Sequence, residues 1–434
     1  MLVADSSRLA AVVAAVRTAG LVAFDLEFDT RDRLVPALCL LQVACVDRDF
    51  DAAAVPDDAI FLVDPMAVDC APVVAALQAH SSVIAHAPRQ DLWVLAAKLG
   101  ARVPGLVDTQ LMAAFAGIGD QVGLGSLVRD LIGVTLDKDQ QWTAWARRPL
   151  SDRQLAYAAD DVRYLPRVYR ELAARLAGRL DWVRDETASI ARDAEAAADP
   201  DPEVAWRDVG GVRGLGDREM GALKAIAAWR VDTAVSEDRP LGHVLPDKPL
   251  VELARARPRD ADGVLAVHGL TSIARAAAGE LAAVIADAPP MTREQARGAL
   301  SGRAQRWSEV LLAIANVVAD RAGVAARLLA TRGDAEAFAR AYDGGGADAT
   351  RGLPAATSWR RDVLLPAWDG WLAGRLAVVA DAGSPHGIQL AELAASAPPA
   401  PEAPAKAPAK TSKKPSAKAP AKPAARSRAR AGRA

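Results

Sequence analysis

The 434-residue chain has little cysteine, no P-loop and no long uncharged apolar run, and each absence excludes a class of protein. Its three cysteines lack metal-ligand spacing, and an odd number of them does not make a disulfide framework. Without a G-x-x-x-x-G-K-[ST] motif or a complete dinucleotide fingerprint, no nucleotide cofactor is expected. No stretch approaches the roughly 18 apolar residues of a membrane span, and the first residues lack a secretory signal pattern. We therefore expect a soluble, cytoplasmic protein.

The net charge of −1 hides a strong asymmetry. Residues 401–434 contain six lysines, four arginines and one glutamate, a balance of +9, which leaves about −10 for the rest of the chain. The low-complexity segment 397–434 has almost no large apolar residue, so we predict a disordered basic tail. Such a tail on an acidic body indicates a polyanionic partner, although a merely solubilising tail is the alternative. Its candidate nucleic-acid-binding residues are Lys406, Lys410, Lys413, Lys414, Lys418, Lys422, Arg426, Arg428 and Arg430.

The rest of the chain divides into an α/β part and helical parts. Its length and its apolar fraction of 51% suffice for two or three packed domains. Alternating patterns in residues 1–190 predict helices packed on a central sheet. The predicted elements are a helix at 7–18, strands at 21–28, 37–46, 60–64 and 82–86, and helices from 88 to 190. A polar, proline-containing linker is predicted at 191–204, with purely helical units after it.

The stretch LVAFDLEF, residues 21–28, places two carboxylates inside an apolar strand. Because side chains alternate along a strand, Asp25 and Glu27 point to the same face. An unpaired buried carboxylate is disfavoured and takes up a proton unless a partner neutralises it. Hard cations such as Mg²⁺ or Mn²⁺ prefer oxygen ligands, so this pair is a candidate metal site. The bare Asp-x-Glu pattern also arises by chance, and more ligands are required.

Two later segments supply further acidic candidates. Asp91 falls in the first turns of a predicted helix, where it is either a surface partner of the helix dipole or a metal ligand. In PLSDRQLAYAADDVRYL, Ser151 and Gln154 have the spacing of a capping box, which predicts a helix start. Tyr157 and Asp161 follow at i and i+4 and therefore project from one face of that helix.

Taken in order, these motifs resemble the DEDD exonuclease superfamily. Asp-x-Glu on an early strand, Asp on a mid-chain helix and Tyr-x-x-x-Asp on a late helix are typical of its tyrosine branch. The segments PALCLLQVA, VDTQLMAAF and LDKDQQWTAWARRPLSDRQLAYAADDVRYL look like ribonuclease D, with one departure at Ala144, where that family often has aspartate. AAWRVDTAVSEDRPLGHVLPDKPLVELA resembles an HRDC domain, and residues 303–381 resemble a second, diverged one.

The resemblance implies a fold. An α/β, ribonuclease H-like exonuclease domain would cover residues 1–190, followed by two all-α HRDC domains at 205–288 and 303–381. The disordered tail lies outside the family pattern. The sequence leaves open whether the HRDC units bind RNA or only pack against the nuclease.

The resemblance also implies a two-metal phosphodiesterase. Asp25, Glu27, Asp91 and Asp161 would bind two divalent ions, Mg²⁺ or Mn²⁺, with Asp25 bridging them. Tyr157 would orient the metal-bound water that attacks the terminal phosphodiester.

The activity implied is 3′–5′ trimming of RNA with a free 3′ end, such as tRNA precursors, by a monomer that releases 5′-nucleoside monophosphates. A DNA 3′–5′ exonuclease of the Werner or proofreading type is the nearest alternative. A non-catalytic RNA-binding protein with a decayed nuclease fold is another, which the intact acids disfavour.

Overall fold

A six-stranded mixed sheet lies within residues 2–108. The computed structural model describes residues 1–137, 143–212, 214–291 and 300–393. The strands are β1 (Leu2–Val3), β2 (Leu21–Asp29), β3 (Ala37–Val46), β4 (Ile60–Val63), β5 (Val83–Ala85) and β6 (Leu106–Asp108). Their order is β1-β4-β3-β2-β5-β6, with β3 antiparallel to both neighbours and the other pairs parallel. The four predicted strands are confirmed, whereas β1 and β6 are too short for a sequence pattern to show them.

The helices of this first part surround the sheet. They are α1 (Ser6–Thr18), α2 (Ala71–Ala79), α3 (Arg89–Leu99), α4 (Thr109–Phe115), α5 (Leu124–Ile132), α6 (Asp152–Arg163), α7 (Leu165–Arg175) and α8 (Leu180–Ala198). Among the residues described, no helix is both long enough and apolar enough to cross a membrane.

Strand β2 is covered on both faces. Val22, Phe24 and Leu26 belong to an apolar cluster that includes residues of α1, α2 and α3. Leu21 and Ala23, on the opposite face, join a second cluster that includes residues of α4, α6 and α7. A strand buried on both faces reads as a nearly continuous apolar run, which explains the composition of LVAFDLEF.

Local signals position α6, the helix that crosses this second face. The Ser151 side chain accepts a hydrogen bond from the Gln154 N–H, and the Gln154 side chain accepts one from the Ser151 N–H. This confirms the predicted capping box. The helix ends at Tyr164, where α7 begins with Pro166 in its first turn. Proline lacks the N–H that a continuous helix would need, so the chain turns just after Asp161.

The chain next forms a helical cluster with a core of its own. Its helices are α9 (Asp217–Ser236), α10 (Leu241–Val244), α11 (Asp247–Ala256), α12 (Ala261–Leu265), α13 (Ser272–Ala276) and α14 (Ala278–Asp287). The Arg230 guanidinium, 5% exposed, donates to the Leu245 carbonyl (3.1 Å) and to Asp247 Oδ1 (2.7 Å). This buried cation thus ties α9 to the start of α11.

The last helices share the core of the first, α/β part. They are α15 (Gly302–Ala322), α16 (Ala326–Leu329), α17 (Arg332–Gly345), α18 (Ser358–Val363) and α19 (Leu365–Leu372). Trp359 stacks on Trp182 with ring centroids 4.9 Å apart and meets Phe115 edge-on at 5.1 Å. Its Nε1 donates to Glu186 over 2.9 Å. Residues 1–392 form one compact unit.

Two predictions from the sequence are wrong in part. Helix α8 runs to Ala198, so the first half of the predicted linker 191–204 is helical, because its alanine-rich sequence favours helix. The region after 204 is not purely helical: β7 (Leu376–Ala380) and β8 (Ile388–Glu392) form an antiparallel hairpin, so the unit at 303–381 is not all-α. The LAVVA run has the β-branched composition of a strand. The predicted tail, 397–434, lies outside the described residues.

Candidate active site

A cleft of about 860 Å³ opens where β2 ends on the face crossed by α6. Its walls come from the second half of β2, the starts of α3 and α5, and α4 and α6. Its acidic lining residues are Asp25, Glu27, Asp29, Asp137 and Asp161. A concave site with this concentration of acids is where the chain can perform chemistry on a bound group.

Three of these acids converge. Asp25 and Glu27 lie on one face of β2, and Asp161 comes from α6, which packs across β2, β3 and β4. Each offers a carboxylate oxygen, and these three oxygens lie within 4.8 Å of one another. The structure therefore brings together groups that are remote along the chain.

Asp91 lies outside this cluster. It sits in the first turn of α3 and is buried, at 7% exposure. It does not line the cleft and is not one of the three converging acids. Burial and then the charge of Asp25 raise its pKa well above the usual value, which places its carboxylate within electrostatic reach of Asp25.

Burial and mutual repulsion govern the protonation of the cluster. Burial and then the charge of Asp161 raise the pKa of Asp25 well above its usual value. Burial, with the charges of Asp25 and Asp161, raises the pKa of Glu27 to about 10. Burial and the charge of Asp160 raise the pKa of Asp161 to about 7, against a hydrogen bond from Tyr157 that lowers it. Without a cation, these acids therefore hold protons near neutral pH.

The cluster fits a hard divalent cation. Asp161 Oδ2 is buried and has no hydrogen-bond partner within the described ranges. A buried carboxylate oxygen left unsatisfied costs stability unless a cation or a donor meets it. Oxygen ligands from several carboxylates are what Mg²⁺, Mn²⁺ and Ca²⁺ accept. The donor set and its repulsion thus both favour a bound metal.

Tyr157 lines the same cleft, one helical turn before Asp161. Its ring packs against the buried Trp145 with centroids 6.1 Å apart. Burial, and then the charge of Asp161, raise the pKa of the Tyr157 phenol well above its usual value. The phenol therefore keeps its proton and presents a neutral O–H donor to the cleft.

The connection between β2 and β3, which begins at the cleft, contacts the helical cluster that contains α9 to α14. Asp32, in the connection between β2 and β3, pairs with Arg239 (3.9 Å) and with His243 (3.5 Å). In the same connection, the Leu34 N–H donates to Asp238 over 3.3 Å. These contacts fix a loop whose first residues line the cleft.

Sequence reasoning missed several polar residues of the cleft. Arg31, Gln90 and Gln110 line it beside the acids. Arg31 donates to Asp29 through Nε (2.9 Å) and through its NH2 group (2.5 Å). Gln90 directly precedes Asp91, and Arg31 closely follows β2. Their closeness in sequence to the acidic motifs could have marked them as candidate site residues. The nine tail residues lie outside the described residues.

Comparison with known proteins agrees with this geometry. Residues 1–177 match the family model described as 3′–5′ exonuclease, and residues 219–285 match the HRDC domain. The chain is 34% identical to ribonuclease D of Acidiphilium cryptum, over 84% of this chain and 91% of that protein. It is 33% identical to ribonuclease D of Gluconacetobacter diazotrophicus, over 84% of this chain and 90% of that protein.

The solved structure of Escherichia coli RNase D, an exoribonuclease involved in structured RNA processing, is also similar. Its TM-score is 0.74 at 26% sequence identity, covering 86% of this chain and 98% of that one. The superfamily to which the exonuclease domain belongs is metal-dependent, in agreement with the acidic cluster. The chain therefore belongs to the ribonuclease D family and is a hydrolytic 3′–5′ exoribonuclease whose exonuclease domain is followed by an HRDC domain.

Proposed function

We propose that this enzyme trims free 3′ ends of structured RNAs such as tRNA precursors, with two divalent ions, Mg²⁺ or Mn²⁺, in the cleft. The observation that carries the proposal is the convergence of three carboxylates within 4.8 Å of one another in a cleft that also holds Tyr157. The product released would be a 5′-nucleoside monophosphate, and the chain would act as a monomer.

The acids would hold the ions. Asp25, Glu27 and Asp161 offer the converging oxygens, and Asp91 adds negative charge within electrostatic reach of Asp25 or reaches an ion through water. Bound ions would neutralise the charge developing on the scissile phosphate and would lower the pKa of the attacking water. The repulsion among the acids is thereby offset, which explains why a buried strand carries two of them.

Tyr157 would position the attacking water. Its phenol stays protonated, so it acts as a hydrogen-bond donor and not as a general base. Trp145 supports the ring, and the α6 backbone fixes Tyr157 one turn from Asp161. Arg31, Gln90 and Gln110 would contact the terminal nucleotide through donors and acceptors at the rim.

The C-terminal parts would shape access to this site. We infer that residues 303–381 derive from a second HRDC-like domain, supported by the length and order of their helices and in spite of the hairpin strand that begins at Leu376. Its core is continuous with that of the nuclease part.

The test is digestion of a 3′-labelled precursor tRNA beside single-stranded DNA of matched length. The expected products are labelled mononucleotides from the RNA, absent with EDTA and absent for Asp25→Asn. Faster digestion of the DNA would favour the DNA exonuclease alternative. Trimming by Asp25→Asn at the wild-type rate would refute the assignment of the cluster.

A further inference from the structure

Gln42 is a buried amide without a hydrogen-bond partner. It lies in the middle of β3 and is 0% exposed, and neither its Nε2 nor its Oε1 has a partner within the ranges that the structure describes. It does not line the catalytic cleft. Burial of an amide without hydrogen bonds is costly, so a polar side chain at such a position requires a physical explanation.

Packing in the core does not account for this amide. Because side chains alternate along a strand, the neighbours of Gln42 on the same face of β3 are Leu40 and Ala44, and its partner across β4 is Leu62. All three belong to the apolar cluster that also contains residues of α6. An apolar side chain of similar size would fill the same space without an unsatisfied donor or acceptor, so the fold alone does not need the amide.

The polar neighbours of Gln42 across β2 are two of the cleft acids. Gln42 pairs directly with Asp25 in the antiparallel register of β2 and β3. Directly opposite residues of two antiparallel strands project from the same face, with Cβ atoms roughly 4.5–5.5 Å apart, and Glu27 is the diagonal neighbour at roughly 7–8 Å. A glutamine side chain is long enough to reach the carboxylate opposite it. The amide and these two acids therefore share one surface beneath α6.

Another unsatisfied polar atom faces the same surface from above. Asp161 Oδ2 is buried and has no hydrogen-bond partner in the part of the chain described, and it belongs to α6, which packs over β2, β3 and β4. The interior between α6 and the sheet thus contains both a donor without an acceptor and an acceptor without a donor. Such groups are expected where a bound cation arranges the carboxylates and so completes their hydrogen bonds.

We propose that Gln42 is a positioning residue of the metal site, whose amide NH₂ group donates a hydrogen bond to the Asp25 carboxylate and fixes its orientation towards the cation. The proposal rests on the proposed function, since it requires that the acids hold ions. An ionised carboxylate only accepts hydrogen bonds, so the NH₂ group and not Oε1 meets it. Loss of such a partner of a metal-binding side chain weakens metal affinity or activity by about 10- to 100-fold.

The test compares Gln42→Met with the control Leu62→Met. Methionine keeps the length of glutamine and removes both polar atoms. Leu62 is buried on the same face and lies on the side of Gln42 away from Asp25, so its substitution disturbs packing beneath α6 without removing a polar group. Mn²⁺ binding is measured by electron paramagnetic resonance without RNA. Gln42→Met should bind Mn²⁺ about 10- to 100-fold more weakly than the wild type, and the control should bind it as the wild type does.

Stability without metal distinguishes positioning from a structural role. In EDTA, Gln42→Met should unfold at a higher denaturant concentration than the wild type, because the substitution removes an amide that has no partner. A structural hydrogen bond would shift the midpoint in the opposite direction. Gln42→Leu repeats both measurements with a side chain of different shape. Destabilisation of the metal-free protein by both substitutions would mean that the amide has a partner without the ion, and would overturn the proposal.

RNA trimming gives an independent readout. Gln42→Met should need about 10- to 100-fold more Mn²⁺ than the wild type for its half-maximal rate. Its KM for RNA at saturating Mn²⁺ should equal that of the wild type, because a fully buried side chain does not contact RNA. A raised KM for RNA with an unchanged requirement for Mn²⁺ would overturn the proposal.

Other outcomes are equally decisive. Wild-type affinity for Mn²⁺ in both Gln42 variants overturns the proposal, as does an equal loss of affinity in Leu62→Met. In crystals of the wild type with Mn²⁺, Gln42 Nε2 should lie within about 3.2 Å of an Asp25 oxygen, and a separation beyond about 3.5 Å would contradict the hydrogen bond. Failure of the proposed function would appear differently, as trimming by the wild type that EDTA does not inhibit.

Discussion

The acidic cluster has two opposite effects on stability: its carboxylates repel one another without metal, and they bind metal when it is present. The substitution Asp161→Asn distinguishes these two effects. In the metal-free enzyme the carboxylates repel one another, and two unit charges 4.8 Å apart interact by about 3 kcal/mol at an effective dielectric constant near 20. The amide keeps the shape and removes one charge. Because protons on the neighbouring acids already relieve part of the repulsion, we expect the metal-free variant to be more stable by about 1–3 kcal/mol at pH 8.

The stability advantage of the metal-free Asp161→Asn variant over the wild type should increase with pH. Burial and Asp160 raise the pKa of Asp161 to about 7, so the folded metal-free protein binds a proton that the unfolded chain has lost. Stability of the wild type therefore falls as pH rises from about 4 to about 7, and the advantage of the variant grows over that window. Below about pH 4 both states are protonated and the difference should vanish.

Denaturant unfolding with EDTA and with Mn²⁺ measures both effects. The wild type should gain stability from Mn²⁺, whereas Asp161→Asn should gain little and should lose RNA trimming. Asp152→Asn is the control, since that residue is exposed in the first turn of the same helix, α6. A metal-free Asp161→Asn less stable than the wild type, or one that keeps the full Mn²⁺ response, would refute this reasoning.

Three further outcomes are expected from contacts outside the cluster. Trp359→Ala should cost about 3–5 kcal/mol in urea unfolding, because it removes a buried indole that joins the C-terminal helices to the nuclease core; wild-type stability would contradict this. Arg230→Met should destabilise the HRDC domain by about 2 kcal/mol, because Asp247 loses its buried partner. Faster hydrogen exchange in α9 and α11 would show this destabilisation. Burial, opposed by the Val122 carbonyl, lowers the pKa of His86 to about 4. Wild-type stability should therefore lose about 3 kcal/mol between pH 6.5 and pH 4 relative to His86→Gln, and parallel pH profiles of the two proteins would contradict that.

Local patterns in the sequence predicted four of the residues that line the cleft. Strand alternation placed Asp25 and Glu27 on one face, and helical spacing placed Tyr157 and Asp161 on another. Both patterns depend only on backbone geometry within a few residues, which is why the structure agrees with them. That the two faces meet depends on the packing of α6 across the sheet, and only the family resemblance supplied this information.

Features that depend on distant contacts could not be predicted. The stacking of Trp359 on Trp182 joins residues far apart in the chain, and no local pattern marks either as a contact. A second cleft assembles arginine side chains from α9, from the end of α11 and from the turn after it, and each looks like an ordinary surface arginine in the sequence. The end of α8 was predicted too early for a different reason. The apolar pattern stops at the polar residues after 190, but the helix propensity of the following alanines extends α8 to Ala198.

We propose that the cleft acids hold divalent metal ions for removal of the 3′-terminal nucleotide. Anomalous diffraction from crystals soaked in Mn²⁺ tests it most directly. We expect anomalous peaks within coordination distance of Asp25, Glu27 and Asp161, and their loss or marked weakening in Asp25→Asn. Crystals that bind Mn²⁺ elsewhere but show no peak among these three carboxylates would contradict it.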